Sequence, residues 1–371
     1  MALNDTLTQI EVTTRRYIDE QPKLRDLVFN KDPLMSMLDE NCLDEVEGGS
    51  SWNDNIEYDV QDGGSYSKGQ DLPADQRQIE QQMRFDPRYQ TVLIPFYKED
   101  IKVLNVGPLA VVKLVEERVD SAYMQLGAQT ALQLYLQGQQ GNYLKLINGL
   151  TEALSDGIAT GWDGNAYPLY GNLTRATFGG RLLAPAPTDF AGGAITLPIM
   201  EDMYQSINFG SGEYEPNVIL TTAVGQGKIR SNYQTQQRFQ NVSVAKGGFR
   251  GLEYNGAVIL ASRYAPGSYL TKTSGTNDRV ATRYLTYTTG GALTAYPTPT
   301  QLSTGETIWM LNVRKPMIKY RISKNAPFNG SLDDDGFIPS AANTKIVGKI
   351  LLAHNLSVLP GYHTYGFNFK S

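Results

Sequence analysis

Cysteine is almost absent from this chain: Cys42 is the one instance in 371 residues. That excludes an intrachain disulfide and any zinc site built on several thiolates. Histidine is nearly as scarce, with only His354 and His363 to supply an imidazole. No basic cluster stands out. Lys plus Arg number 33 against 38 Asp plus Glu, a net charge of −5, which argues against a protein whose main task is to grip phosphate backbones. No apolar run approaches membrane-spanning length, and the first residues, Met1 to Tyr17, hold no signal-peptide core. The expectation is a soluble, unsecreted chain, without membrane contact, that is not an enzyme. Glycine (36) and proline (18) are plentiful and predict many turns and long connections. A hydrophobic share of 41% with 19% charged residues suits a globular core rather than a disordered chain.

Catalytic and ligand-binding motifs are missing as well. Gly225-Gln226-Gly227-Lys228 looks like part of a phosphate loop, but Thr222 stands where its first glycine belongs and Ile229 where Ser or Thr should follow the lysine. Asp333-Asp334-Asp335-Gly336 suggests a calcium loop. Counting from Ser331, however, Ala342 falls where the bidentate glutamate belongs, so a solvated acidic turn is the plainer reading. There is no Gly-x-Ser-x-Gly elbow. Cys42 reads as a small buried hydrophobe and the two histidines as hydrogen-bonded structural residues. No catalytic, cofactor or metal residue is assigned, and a hydrolase lacks its nucleophile motif.

The organisation along the chain is more informative. Residues 1–47 are charged and interrupted by Pro22 and Pro33, and only the run Pro33 to Leu38 asks for burial, so they read as an arm docking through a few apolar anchors. Residues 48–97 read as one long hairpin. Trp52, Ile56, Tyr58 and Val60 share one strand face, the middle is polar and turn-rich, and Met83, Phe85 and Tyr89 to Ile94 form the return. A two-stranded ribbon has no second layer to bury its apolar face, so it either folds back or lies on another molecule; its length and hydrophilic far end favour the second.

Residues 108–136 predict the clearest helix, opened by Pro108 and stopped near Gly138. Val112, Val115, Val119, Ala122, Leu126, Thr130 and Leu134 form its apolar stripe, with Glu116, Glu117, Asp120 and Gln133 outside. It spans about 43 Å, with a bend allowed at Gly127. Further helices are expected at Tyr143–Leu154, Thr196–Phe209 and Val224–Gln237. Strands are expected at 217–222, on both sides of Asn255-Gly256, and at 308–311 and 346–352. This order is α+β without a βαβ series, so a doubly wound sheet is not expected.

Arm, long hairpin, long helix, central α+β region and C-terminal strands, in that order, resemble tailed-bacteriophage major capsid proteins of the Hong Kong 97 (HK97-like) type over nearly the whole chain. Supporting stretches are Asp32-Pro33-Leu34, Tyr66-Ser67-Lys68-Gly69-Gln70-Asp71 near the hairpin tip, and Ile147-Asn148-Gly149-Leu150 after the long helix. Tyr170-Gly171-Asn172-Leu173-Thr174-Arg175 is similar to a Tyr-Gly-Gly-x-x-Arg pattern of the family. Gln237-Arg238-Phe239, Gly248-Phe249-Arg250-Gly251-Leu252 and Met310-Leu311-Asn312 add to the series.

The resemblance implies an N-terminal arm (1–47), an extended loop (48–97), a peripheral domain (98–157 and 311–371) with a spine helix at 108–136, and an axial α+β domain (158–310). It implies a coat protein that assembles with itself, through hexamers and pentamers, into an icosahedral shell around phage double-stranded DNA. The DNA is met only by non-specific proximity. The chain would sit in the virion capsid after assembly in the host cytoplasm. Candidate contacts between subunits are Trp52, Ile56, Tyr58, Val60, Lys68, Asp71, Arg84 and Arg88, the last three with a role in register. No long charged helical segment precedes the arm, which implies a separate scaffolding protein, besides a portal and a possible decoration protein. Ser262 stands where the family pattern leads one to expect an acid. Some members cross-link subunits through a Lys–Asn bond. Lys68 and Asn355 are the residues to consider, but a solvated lysine and an ordinary turn asparagine are the plainer reading and no cross-link is assigned. A cellular nanocompartment shell and, less well, a phage tail or fibre protein are the alternatives.

Overall fold

Two mixed sheets and one continuous core between them organise the chain. The computed structural model describes residues 12, 14, 32–59, 64–69, 78–97, 108–138, 145–178, 183–207, 214–234, 252–267, 286–289, 292–295, 305–324, 338–339 and 345–370.

The six-stranded sheet runs in the order Thr188–Asp189, Thr364–Phe369, Glu306–Leu311, Val218–Thr221, Ala257–Ala261, Leu252–Tyr254. Every residue of Glu306–Leu311 and of Val218–Thr221 is buried. Ile219, Ile259, Ile308, Met310 and Phe369 form one cluster with Met200, Met203 and Ile207 of helix Leu197–Ile207 and Ile229 of helix Ala223–Gln234. Leu220, Leu260, Trp309 and Leu311, alternating with them, belong to the main core. Burial on both faces explains why these strands read as unbroken apolar runs. Asn255 and Gly256 take positive φ values of 46° and 81°, as the tight turn between Leu252–Tyr254 and Ala257–Ala261 requires.

In the five-stranded sheet the long strand Lys345–Val358 is central. Arg88–Tyr97 pairs along one edge, while Ile318–Ser323 and Ile338–Pro339 pair along the other, and Leu43–Val46 lies parallel to Ile318–Ser323. Val92, Ile94, Phe96, Ile318, Tyr320, Ile350 and Leu352 enter the main core together with the arm helix Pro33–Asn41 and the long helix Pro108–Gln133. Asp32 caps the arm helix by accepting from the Leu34 N–H at 3.2 Å. The run Pro33 to Leu38 is buried, as its composition asked.

On the long helix Val119, Ala122, Leu126, Thr130 and Leu134 are all buried; the side chains of Val112 and Val115 lie outside the described residues. Gln133, expected on the outer face, is buried instead, because the end of the helix is enclosed all round. Gln129 and Thr130 on that enclosed end reach Gln90 on the sheet at 2.9 and 3.0 Å, so each buried amide finds a partner. The helix runs through Gly127 and stops at Gln133, three residues early. Tyr135 and Leu136 then donate to carbonyls three residues back, on Leu132 and Gln133.

Four expectations need correction. The helix predicted at 143–154 is one turn, Leu150–Ala153, because the chain at 146–149 must pass backbone-to-backbone against the end of the long helix. A Cβ on Gly149 would sit 2.7 Å from the Gln133 carbonyl oxygen and 2.9 Å from that of Leu134, and one on Gly138 would sit 2.8 Å from those of Leu146 and Ile147. The 48–97 loop ends earlier than expected: Trp52–Glu57 pairs with Glu80–Phe85, but Arg88–Tyr97 belongs to the five-stranded sheet. Two C-terminal strands, Ile318–Ser323 and Thr364–Phe369, escaped the sequence reading. Thr364–Phe369 pairs with Glu306–Leu311 in the six-stranded sheet, so the sheets do not divide at the expected 310/311 boundary.

Gly149→Ala is expected to lower stability by about 1–3 kcal/mol, since rigid carbonyls occupy the place of the new methyl group. Gly227→Ala, on an exposed helical position with open space around it, is expected to raise it by about 0.5–1 kcal/mol. Urea midpoints of the two variants check both signs.

Candidate assembly interface

The ribbon formed by Trp52–Glu57 and Glu80–Phe85 follows the alternation of a strand. Trp52, Asp54, Ile56, Met83 and Phe85 point inward and are buried, whereas Asn53, Asn55, Glu57, Gln82 and Arg84 are exposed. The layer it packs on belongs to the same chain. Phe85 meets Tyr170 edge-on at 5.3 Å between ring centroids, and the Arg84 N–H donates to the Gly171 carbonyl at 2.9 Å. Tyr58 meets Phe178 edge-on at 5.1 Å. Gly171 and Asn172 take φ values of 55° and 62° in the tight turn between Leu169–Tyr170 and Leu173–Thr174. A Cβ at Gly171 would come within 2.7 Å of the Met83 Cβ.

One acid sits on the inward face. Asp54 accepts from Lys319 Nζ at 2.5 Å, Arg321 Nη2 at 2.7 Å and Ser357 Oγ at 2.5 Å. It thereby ties the ribbon to the two strands that carry these residues. Burial alone would raise its carboxyl, but the hydrogen bonds from Lys319 and Ser357 and the charge of Arg321 outweigh burial, holding it below the usual carboxylate range. Arg321 also reaches Asp44 at 3.3 Å. The sequence signal for this site was available: 52, 54 and 56 share a parity, so an acid between Trp52 and Ile56 has to meet a cation inside.

Behind the ribbon, Arg175 is buried under the Tyr170–Thr174 turn. It donates to the carbonyls of Tyr167 (3.0 Å), Glu152 (2.6 Å) and Ala153 (3.1 Å), and lies 5.1 Å from the Tyr170 ring centroid. Burial pulls its guanidinium down to about 10. Tyr170 Oη accepts from the Val358 N–H at 3.0 Å, which joins this corner to the long strand. The tyrosine and arginine of the family-like stretch thus do structural work in the interior.

The sequence-predicted contact residues separate into groups. Trp52 and Ile56 are covered by their own chain, at 4% and 2% exposure, which corrects the expectation that a neighbour must shelter them. Tyr58 is half-buried against Phe178; Lys68 is exposed near the hairpin tip. Arg84 is exposed and pairs with Asp86 at 3.2 Å, and Arg88 is half-buried at the start of its strand. Val60 and Asp71 lie outside the described residues, as do Asp333 to Gly336. A different apolar surface emerges on the outer side of Arg88–Tyr97, where Tyr89, Leu93 and Tyr97 are exposed.

The remaining chemical candidates fall in structural places. Asn355 is buried with its amide saturated. Oδ1 accepts from the Asn148 and Leu356 N–H groups, while Nδ2 donates to Asp86 O and Asn148 Oδ1, all at 2.7–2.9 Å. His354 Nδ1 lies 2.8 Å from Tyr320 Oη, and His363 Nδ1 accepts from the Asn312 N–H at 3.0 Å; burial pulls both rings down to about 3, so they are neutral. Burial pushes the Cys42 thiol up to about 12. Gly225 to Lys228 lies within a helix rather than a loop, and a Cβ at Gly225 would collide with Thr221 Oγ1. Among the described residues no three His, Cys, Asp or Glu side chains are grouped to hold a metal ion, and no helix is long and apolar enough to cross a membrane.

No protein-family model matches this chain, and no curated protein matches it in sequence. Solved structures do match in fold. A chain of the cyanophage A-1(L) capsid asymmetric unit shares 13% identity at a TM-score of 0.59, with 91% of this chain and 93% of that chain covered. A chain of the capsid of a native GTA particle shares 10% identity at 0.53, covering 91% and 90%. A chain of the holo-SrpI encapsulin complex from Synechococcus elongatus PCC 7942 shares 9% identity at 0.51, covering 90% and 87%. The chain therefore has the α+β fold of these shell-forming chains, the architecture that the resemblance implied.

Asp54→Ala is expected to destabilise the protein by about 3 kcal/mol, because it removes the acid that Lys319 and Arg321 share and leaves Arg321 only the half-exposed Asp44. A carboxylate depressed in the folded state stabilises above its ordinary value of 3.8 and loses that contribution on acidification. The difference between wild type and variant in urea midpoint should accordingly shrink as the pH falls below about 4. With Asn355 enclosed and saturated, associated material boiled in detergent is expected to run as one band at 41.0 kDa. A ladder of multiples that disappears in Asn355→Ala is the contrary result.

Proposed function

We propose that this chain is the major capsid protein of a tailed bacteriophage, assembling with itself through hexamers and pentamers into an icosahedral head around double-stranded DNA. The observation that carries the reading is the match in fold to the cyanophage capsid chain over about nine-tenths of both molecules. Such a protein works by association rather than turnover. Each contact between copies can be modest, because contacts on several sides must break together before a subunit escapes. The exposed end of the hairpin, with Lys68, supplies one reach toward a neighbour. The outward Arg84 at its base and the half-buried Arg88 just beyond it supply charges that set register. Val60 and Asp71 complete that set. A net charge of −5 suits a container wall that must not stick to its contents.

In this reading residues 158–310 surround the hexamer and pentamer centres and the long helix runs along the periphery. A separate scaffolding protein guides assembly in the host cytoplasm, and a portal and a decoration protein complete the virion. The encapsulin likeness supports a second reading, a cellular nanocompartment shell with protein cargo.

Purified chain viewed by negative-stain electron microscopy is expected to form closed shells, and particles recovered from infected cells to hold nuclease-protected DNA. Shells filled with protein alone favour the nanocompartment. A chain that stays monomeric at high concentration and is found in no particle recovered from infected cells overturns both readings. Arg84→Glu is expected to lower shell yield and alter its salt dependence, and unchanged yield across salt removes Arg84 from the contact.

A further inference from the structure

The first turn of the arm helix holds a carboxylate unlike Asp54. Asp32 is fully buried. Its Oδ2 accepts from the Leu34 N–H at 3.2 Å and from Tyr135 Oη at 3.3 Å, and its Oδ1 accepts from the hydroxyl of Ser262. Ser262 Oγ is itself held by the N–H groups of Tyr264 and Ala265 at 3.1 and 3.2 Å. Three segments distant in sequence converge here: the arm, the end of the long helix, and the exit of strand Ala257–Ala261. Among the described residues the groups facing the carboxyl are Tyr135 from the helix end and Ser262 from the strand exit. Arg263, beside them in sequence, is exposed; on the arm helix itself the charged residues Asp39 and Glu40 lie at the far end. Among the described residues no cation approaches Asp32, whereas Asp54 has two.

We propose that Asp32 is a proton-operated latch: its neutral carboxyl holds segment 32–46 against the long helix and the six-stranded sheet, and its ionisation weakens that hold. A buried charge with hydrogen bonds but no counter-ion is costly, whereas the protonated group carries no charge to desolvate and keeps its carbonyl oxygen as an acceptor. Burial, outweighing the hydrogen bonds from Ser262, Leu34 and Tyr135, pushes the carboxyl up to about 6 from 3.8. A raised value means that stabilisation is full below 3.8 and is lost as the pH rises through about 6. Between pH 5 and pH 8 the docking equilibrium should weaken roughly tenfold. The inference stands apart from the shell reading, since it concerns contacts within one chain.

Hydrogen–deuterium exchange of the full chain, corrected for intrinsic rates, tests it. Protection of peptides spanning 33–46 is expected to fall roughly tenfold from pH 5 to pH 8, with peptides over 306–311 unchanged. Asp32→Asn, which keeps the cap but has no proton to lose, should retain the pH 5 protection at both values. Equal protection in the wild type at both pH values, or the same fall in Asp32→Asn, overturns the latch. Should that variant not fold, Tyr135→Phe decides. Removing a hydrogen bond to the charged form must move the wild-type midpoint to higher pH, and an unmoved midpoint overturns the latch as well.

Discussion

A two-stranded ribbon presents one face for burial and brings no second layer of its own. Here the missing layer comes from two places in the same chain. The Tyr170–Arg175 turn receives Met83 and Phe85, and the outer side of the five-stranded sheet receives Asp54 through Lys319, Arg321 and Ser357. The first support depends on Arg175 and Tyr170. These bind the turn to the carbonyls of 152, 153 and 167 and to the long strand at Val358. The ribbon is therefore rooted before any neighbour is met, and only what extends beyond the root is available for association.

The buried carboxylates show how burial and charge divide the work. Asp54 sits between cations and is held ionised, so it functions as a fastener at neutral pH. Asp32 has hydroxyls and one amide for company, and Glu152, bonded to the Gly138 N–H and Asn148, is pushed up to about 7 chiefly by burial. Groups of the first kind lose their contribution in acid, those of the second kind in base. The stability of the arm junction and that of the ribbon root thus run in opposite directions across the acid range.

Much of this was legible in the sequence because it follows from periodicity. The stripe Val119, Ala122, Leu126, Thr130 on the long helix, the buried run after Asp32, and the Asn255-Gly256 turn were each carried by local spacing. The element order then pointed to the fold, and fold matches at 9–13% identity bear that out. What was hidden is what spacing cannot carry. Helix at 143–154 fits the local pattern, but the close backbone passage at Gly138 and Gly149 forbids it. Strands Ile318–Ser323 and Thr364–Phe369 are set by partners far away in sequence. The shelter of the ribbon's inward face depends on residues far downstream, such as Tyr170 against Phe85 and Phe178 against Tyr58, which a reading of the ribbon by itself does not include.

The strand Arg88–Tyr97 leads two lives. Gln90, Val92, Ile94 and Phe96 are buried, with Gln90 committed to the long helix, while Tyr89, Leu93 and Tyr97 on its other side are open. Selection acting on the even positions is set by the volume and polarity of an enclosed space. Selection on the odd ones answers only to whatever touches the surface. A lineage can consequently retune its exterior along this strand, residue by residue, without renegotiating the interior, and a common architecture can outlast nearly all detectable kinship in the letters that encode it.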